Sequence, residues 1–189
     1  STLIDIDGNS YNTVKIGDQV WMAENLKGTH FRNSDPIPTG HTYLEWNSLS
    51  TGAYAVYDNN EANADTYGYL YNWYAVNDSR NIAPEGWHVP TDEEWQTLVD
   101  YLGGEDVAGR KLKEAGTEHW NSKNRSNKGA TNESGFTALP GGSRQFGYSG
   151  IYYNMYDFGY FWSSTEYGSD YAWLLGYDRS SVIREDYDC

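Results

Sequence analysis

The C-terminal quarter of the chain carries the side chains best suited to molecular recognition. Nine of the eighteen tyrosines fall between Gln145 and Cys189, among many Ser, Asp, Asn and Gly residues. Tyrosine offers a large contact area with few rotatable bonds, and the small polar residues offer adaptable hydrogen bonds, as in antibody binding loops. We therefore predict a binding face made of Tyr167, Asp170, Tyr171, Tyr177, Asp178, Arg179, Arg184 and Tyr187. In the alternative interpretation, these tyrosines cover a small irregular core.

The sequence contains no recognisable set of catalytic residues. Its four histidines, His30, His41, His88 and His119, lack the i, i+4 spacing of a helical metal site, and its single cysteine, Cys189, rules out a cysteine pair. Neither a Gly-x-Ser-x-Gly elbow nor a phosphate-binding Gly-Lys-Ser/Thr loop is present. Acidic residues are numerous enough for a glycosidase-type carboxylate pair, although none stands out. We predict no catalytic and no metal-ligating residue, and we interpret His88 as structural.

An acidic loop leaves room for a structural calcium ion. The run DNNEANAD, from Asp58 to Asp65, is rich in the oxygen ligands that calcium prefers. It lacks the mid-loop glycine and the closing bidentate glutamate of an EF-hand, so we interpret it as a solvated polar loop. No cofactor is predicted.

Charge and composition exclude several classes of partner. The formal net charge of −14 opposes binding to nucleic acid or to an anionic membrane surface. No apolar run approaches the ~20 residues of a membrane span. With 189 residues, eight Trp and eighteen Tyr, the chain is large and aromatic enough for one folded domain, residues 1–189. Basic residues concentrate in 105–128, Lys113 among them, and we interpret them as a solvated helix face.

Local patterns predict the elements that must carry these residues. The N-terminal segment is typical of strands joined by tight turns, at Asp7–Asn9 and at Gly17–Asp18. The segment PTDEEWQTLVDYLGG predicts a helix that begins with a capping box of Thr91 and Glu94 and ends at Gly103. Its apolar stripe consists of Trp95, Leu98, Val99 and Leu102.

Weaker sequence patterns predict the remaining secondary-structure elements. A short helix is predicted within Tyr67–Asp78, from the helical spacing of Leu70, Trp73, Tyr74 and Asn77, and a third helix over Asp106–Gly116. We expect little regular structure in 28–66 and only strands and loops from Gly135 onward. Three C-terminal aromatic residues are expected in the core: Phe161, Trp162 and Trp173.

Five ordered segments resemble the Fibrobacter succinogenes major paralogous domain family. They are DIDGNSYNTVKIGDQVWMAENL, YGYLYNWYAV, GWHVPTDEEWQTL, GFTALPGGSR and FWSSTEYGSDYAW, and together they span nearly the whole chain. PTDEEW is also similar to a helix opening in the formylglycine-generating-enzyme branch of C-type-lectin-like folds. The resemblance implies an α+β fold of that type, with two main helices, small twisted antiparallel sheets and long irregular loops. It also implies a secreted or surface-attached bacterial protein, so we expect an extracellular or cell-surface location.

The resemblance does not bring a known activity with it. The generating enzyme needs two reactive cysteines, and sugar-binding C-type lectins use Glu-Pro-Asn or Gln-Pro-Asp with Trp-Asn-Asp, none of which occurs here. Similar lectin-like domains serve as the variable, ligand-binding proteins of diversity-generating retroelements. The family usually continues with a closing strand of the type Gly-x-Ser-Val-Arg-Cys-Val where this sequence reaches Cys189, so we expect an unpaired sheet edge.

We therefore predict a non-catalytic extracellular domain that binds a protein or glycan ligand through the C-terminal face. Two other classes stay open. A structural surface or fibre subunit would self-associate through that face. A carbohydrate-active enzyme would need a concave pocket holding two carboxylates with divergent pKa values.

Overall fold

Short helices alternate with small antiparallel sheets, which is the α+β class that the sequence predicts. The fold is that of a computed structural model, which describes residues 1–120, 127–144, 152–167 and 169–187. The strands are β1 (Thr2–Ile4), β2 (Ser10–Ile16), β3 (Gln19–Met22), β4 (Tyr54–Ala55), β5 (Leu70–Tyr71), β6 (Ser143–Arg144), β7 (Tyr152–Tyr153), β8 (Phe158–Tyr167), β9 (Ser169–Gly176) and β10 (Val182–Tyr187). The helices are α1 (Tyr43–Ser48), α2 (Ala62–Tyr67), α3 (Trp73–Val76), α4 (Asp92–Tyr101) and α5 (Glu105–Leu112), and a 3₁₀ turn spans Tyr57–Asn59. Within these residues, the sheets have the orders β1-β2-β3, β10-β9-β8, β4-β5 and β6-β7.

The N-terminal sheet confirms the predicted strands and turns. One oxygen of the Asp5 carboxylate accepts the backbone N–H groups of Asp7 at 3.0 Å and Asn9 at 2.8 Å. The other accepts the hydroxyl of Tyr11 at 2.6 Å and the side-chain amide of Asn9. The motif DIDGN therefore forms an Asx-type turn, in which the Asp5 carboxylate accepts hydrogen bonds from the backbone N–H groups that follow it.

The predicted helix within Tyr67–Asp78 is wrong in extent. Residues Leu70–Tyr71 form strand β5, and only Trp73–Val76 are helical. The cause is Asn72, a buried residue whose side-chain oxygen accepts the N–H groups of Ala75 at 3.0 Å and of Ala53 at 2.9 Å. An asparagine bonded in this way begins a helix and separates it from the residues before it.

The expectation of little regular structure in 28–66 is also wrong. That stretch contains α1, the 3₁₀ turn, strand β4 and most of α2. Helix α1 begins with a capping box of Thr42 and Glu45, in which the Thr42 side chain accepts the Glu45 N–H and Glu45 accepts the Thr42 N–H. The same Thr-x-x-Glu signal predicts α4, and it was present here as well.

The largest cluster of buried side chains lies where α4 and α5 meet the N-terminal and C-terminal sheets. At its centre is Trp95, which is 3% exposed. Its ring contacts the rings of Trp21, Phe136, Phe161 and Trp173, at centroid distances from 4.8 to 5.9 Å. Its indole N–H donates to the carbonyl at position 162 at 3.1 Å. The predicted capping box and apolar stripe of α4 are confirmed.

The side chains of α4 allow a direct stability test. Replacing Trp95 with alanine empties the centre of the aromatic cluster, so we expect a loss of about 3–5 kcal/mol in the free energy of unfolding. Thr91→Ala removes only the helix cap and should cost about 1 kcal/mol. Denaturant melts measure both, and a Trp95→Ala melt that matches the parent would contradict the assignment.

Lys113 corrects the interpretation of the basic stretch as a solvated face. This lysine is fully buried at the end of α5. Its ammonium donates to the carbonyls of Gly176 at 2.9 Å and Arg179 at 2.8 Å, and it lies 5.3 Å from the ring centroid of Trp120. Burial, only partly offset by the nearby Asp178 carboxylate, lowers the pKa of Lys113 to about 8. The lysine therefore ties α5 to the turn between β9 and β10.

Lys113→Met keeps the length of the side chain but removes both hydrogen bonds, so the carbonyls of Gly176 and Arg179 lose the buried ammonium as a donor. We expect a loss of about 2–4 kcal/mol in unfolding free energy. The matched control is Lys111→Met on the same helix, which removes only a long 3.8 Å ion pair with the exposed Glu133 and should cost less than about 0.5 kcal/mol.

The difference in unfolding free energy between the parent and Lys113→Met should depend on pH, with a sign that follows from the lowered pKa of Lys113. The pKa of Lys113 is lower in the folded than in the unfolded chain, so above pH 8 the unfolded chain binds more protons. Stability contributed by this residue therefore rises as the pH increases from about 8 toward the ordinary lysine value. The gap between parent and Lys113→Met should widen over that interval, and a constant gap would show that the pKa is not lowered.

Candidate functional site

The predicted binding face is divided between the two ends of the C-terminal sheet. The register pairs Tyr167 with Ser169, and Asp170 with Tyr187, while Tyr171 occupies the next position of β9. Four of the eight predicted residues thus have neighbouring backbone positions at one end of the sheet. The side chains of Tyr167, Asp170, Tyr171 and Tyr187 lie outside the described residues.

The turn between β9 and β10 holds three other predicted residues at the opposite end of the sheet. Tyr177 is half-buried against the main core, and its ring lies 6.1 Å from that of Phe158. Asp178 and Arg179 pair with each other at 2.8 Å. That hydrogen bond from Arg179 lowers the pKa of Asp178. Since β9 rises about 3.3 Å per residue, this turn lies about 20 Å from Asp170.

Arg184 lies between these two groups and has structural partners of its own. Its guanidinium is 3.2 Å from the Asp92 carboxylate at the start of α4, and 4.7 Å from the ring centroid of Trp173. The backbone positions of the eight residues are therefore spread along the whole C-terminal sheet.

A cavity of about 910 Å³, which we name the central cavity, is another candidate site. Its walls come from residues in 18–27, 64–71, 86–90, 136–139 and 160–162. The volume is within the range of ligand sites, which are mostly apolar with a few placed polar groups. Eleven Phe, Tyr and Trp residues contribute to the walls: Tyr11, Trp21, Tyr67, Tyr69, Tyr71, Trp87, Trp95, Phe136, Tyr160, Phe161 and Trp162.

One wall of this central cavity is a backbone segment in unusual conformations. Thr137 has φ 59°, a left-handed value that is a genuine outlier for a β-branched residue. Asn132 holds it there by accepting its N–H at 2.9 Å and donating to its hydroxyl at 3.0 Å. Such conformations cost roughly 1–3 kcal/mol and cluster at binding and active sites.

Gly142 lies at the end of the same wall, close to the backbone of Tyr153 and Met155. It has φ 66°, and a Cβ here would overlap the carbonyl oxygen of Tyr153 and lie 2.7 Å from the backbone nitrogen of Met155. Both the backbone angle and the close approach require glycine at this position.

Two alanine substitutions separate the effect of the angle from the effect of the close approach. Gly40 has a similar φ of 79° but open space around it, so Gly40→Ala should cost only the left-handed penalty of about 1–2 kcal/mol. Gly142→Ala adds a backbone overlap and should cost about 3 kcal/mol or more. Thermal melts compare them, and equal losses would show that the wall yields to the added methyl group.

At the edge of the central cavity, three rings and a carboxylate form a group that we name the Tyr67 cage: Tyr67, His119, Tyr156 and Glu114. The Tyr67 ring is nearly perpendicular to that of His119, at 5.8 Å and 89°, and to that of Tyr156, at 6.2 Å and 77°. His119 Nδ1 lies 2.9 Å from the Glu114 carboxylate. Burial, with smaller effects from Tyr156 and Glu114, raises the pKa of Tyr67 to about 12, so its hydroxyl is protonated at neutral pH.

Glu94 is a second carboxylate on the cavity wall, and it serves the fold. Burial raises its pKa, but hydrogen bonds from the Thr91 backbone at 2.8 Å and from His88 at 2.8 Å outweigh burial and lower it. In each described carboxyl group whose pKa departs from its ordinary value, the pKa is lowered: Asp7, Asp35, Glu45, Asp78, Glu94 and Asp178. A general acid needs the opposite shift.

Two kinds of feature are missing from the described part of the chain. No group of three His, Cys, Asp or Glu side chains converges there to hold a metal ion. Across the same described ranges, no helix combines the length and the apolar character needed to cross a bilayer.

Sequence reasoning missed the central cavity, although signals for it were present. All five quoted motifs contribute residues to its lining, including YGYLYNWYAV and GFTALPGGSR. The motifs are rich in aromatic residues, but nothing in the sequence shows that these segments meet.

The chain matches a protein-family model over most of its length. The model of the Fibrobacter succinogenes major domain matches residues 14–187, which is nearly the whole chain. Searches of curated proteins and of solved structures found no match.

Proposed function

The chain belongs to the Fibrobacter succinogenes major domain family, and from that premise we propose that it is a non-catalytic ligand-binding domain. We further propose a C-type-lectin-like arrangement of its helices and sheets, and a location outside the cell or on its surface. The ligand is a protein segment or a glycan that reaches the central cavity. The family description names no activity, so the proposal depends on the site.

The observation that carries the proposal is the central cavity itself. About 910 Å³ of space is walled by aromatic rings and by a strained backbone segment around Thr137. Strain of this kind is maintained only where the surrounding structure enforces it, and it is typical of sites that must be preformed. The lowered pKa of Glu94 on the cavity wall makes this residue unsuited to act as a general acid.

A leucine at Gly141 tests the cavity as the binding site. A Cβ at this glycine would make an ordinary 3.7 Å contact with Tyr67, so Gly141→Leu should fold normally while it fills part of the cavity. Panels of soluble oligosaccharides and short peptides are screened by tryptophan fluorescence, since four tryptophans line the walls. We expect at least a tenfold (roughly 1.4 kcal/mol) loss of affinity for any hit.

The matched control is Ala62→Leu, which adds leucine bulk at the exposed start of α2 and should leave binding unchanged. A hit that Gly141→Leu binds as well as the parent does would contradict the cavity as the site.

The end of the C-terminal sheet near Tyr171 and Tyr187 is the second candidate. The observation that favours it is the register, which gathers four of the predicted residues at neighbouring backbone positions. A ligand that Gly141→Leu retains, but that Tyr171→Ala and Tyr187→Ala both lose, would assign binding to this end of the sheet.

A further inference from the structure

We propose that the Tyr67 cage binds an organic cation, an alkylammonium group presented by the ligand. The inference rests on the proposed function, because Tyr67 and Glu114 line the same central cavity. The inference specifies the chemical group of the ligand that the cavity recognises. Four observations support this inference.

The first observation is geometry. Tyr67 makes nearly perpendicular ring contacts with both His119 and Tyr156. Aromatic faces are electron-rich, and several of them around one point attract a compact cation. A flat apolar or sugar ring would instead be expected to lie parallel to one exposed ring.

The second observation is charge. Glu114 is a partly buried acceptor, with 18% of its side chain exposed, and its described ion-pair partner is His119. A neutral apolar ligand over this carboxylate would desolvate it without compensation. An anionic ligand would be repelled by it and by the net charge of −14.

The third observation is how the fold treats its other aromatic rings. Five described Arg or Lys side chains lie over a ring, for example Arg80 at 4.0 Å from the Phe31 centroid and Arg144 at 4.3 Å from that of Trp46. Within the described ranges, no such side chain lies over Tyr67 or Tyr156. The cage thus offers the surface that these cations use elsewhere, and no described cation occupies it.

The fourth observation is the backbone of Tyr156. This residue has φ 72°, which is strained for a tyrosine, and its N–H donates to the Pro140 carbonyl at 3.0 Å. The strained backbone holds a 44% exposed ring beside the cavity. A ring kept exposed at such a cost is typical of a contact residue. A metal ion is a poorer occupant, since calcium takes six to eight oxygen ligands and the cage supplies one carboxylate.

Two sources could supply the cation, and the test separates them. The probes for calorimetric or NMR titration are choline, the neutral choline isostere 3,3-dimethylbutan-1-ol, and Nα-acetyl-lysine methylamide. We expect a cation to bind about tenfold more tightly than the isostere, because only the charge differs. Choline binding more tightly than the lysine amide indicates a quaternary ammonium ligand, and the reverse order indicates a lysine side chain of a protein partner.

Variants assign the binding to the cage. Glu114→Gln and Tyr156→Ala should each weaken cation binding about tenfold, and Glu114→Gln should leave the isostere unaffected. The matched controls are Glu93→Gln, which removes the same charge from an exposed site, and Tyr101→Ala, which removes a tyrosine that is 66% exposed. Both controls should bind the cation as the parent does, and thermal melts check that all four variants are folded.

Three results would overturn the inference: no cation binding at millimolar concentrations, equal binding of choline and its isostere, or unchanged binding in Glu114→Gln. None of them would by itself refute the proposed function. If the parent binds a neutral ligand and Gly141→Leu does not, the cavity remains the binding site, but its ligand is not a cation.

Discussion

Buried main-chain groups outside helices and sheets control this fold, because each needs a hydrogen-bond partner. The longest described helix, α4, has ten residues, so many backbone N–H and C=O groups lie outside helices and sheets. Long side chains form hydrogen bonds with some of these groups. Arg32 donates to the loop carbonyls at 83, 84 and 87, and Lys113 donates to two in the β9–β10 turn. Three indoles each donate to one further carbonyl: Trp95, Trp120 and Trp162.

These donors also explain why the central cavity persists. Arg32 holds carbonyls at 83–87, Trp120 holds the one at 138 and Trp162 holds the one at 71, and all three regions line the cavity. Loops fixed in this way cannot collapse inward without breaking buried hydrogen bonds, each of which is costly to lose. A site with fixed walls loses little conformational entropy on binding. The apparent irregularity of the chain is therefore compatible with a preformed site.

The sequence predicts what depends on neighbouring residues and misses what depends on distant ones. Helix α4 is predicted fully, because its Thr-x-x-Glu cap and apolar stripe lie within twelve consecutive positions. The break at Asn72 is missed, since two of its three side-chain partners lie 19 and 21 residues away and only Ala75 is close in sequence. The burial of Lys113 is missed for the same reason, its partners being 63 and 66 residues away. The cavity is lined by segments that are far apart in the sequence. The individual motifs can be read from the sequence, but their contact in the fold cannot.

The choice of carbonyl partners has an electrostatic consequence. The side chains of Arg32 and Lys113 donate hydrogen bonds to neutral backbone carbonyls instead of to carboxylates. With a net charge of −14, the potential around the molecule favours the approach of cations and opposes that of anions. Within the fold, basic side chains already satisfy aromatic faces and oxygen atoms together, as Arg184 does between Trp173 and Asp92. A cationic ligand at the Tyr67 cage would repeat this arrangement with a group from outside the chain, so the chemistry that stabilises the fold and the chemistry proposed for its site are the same.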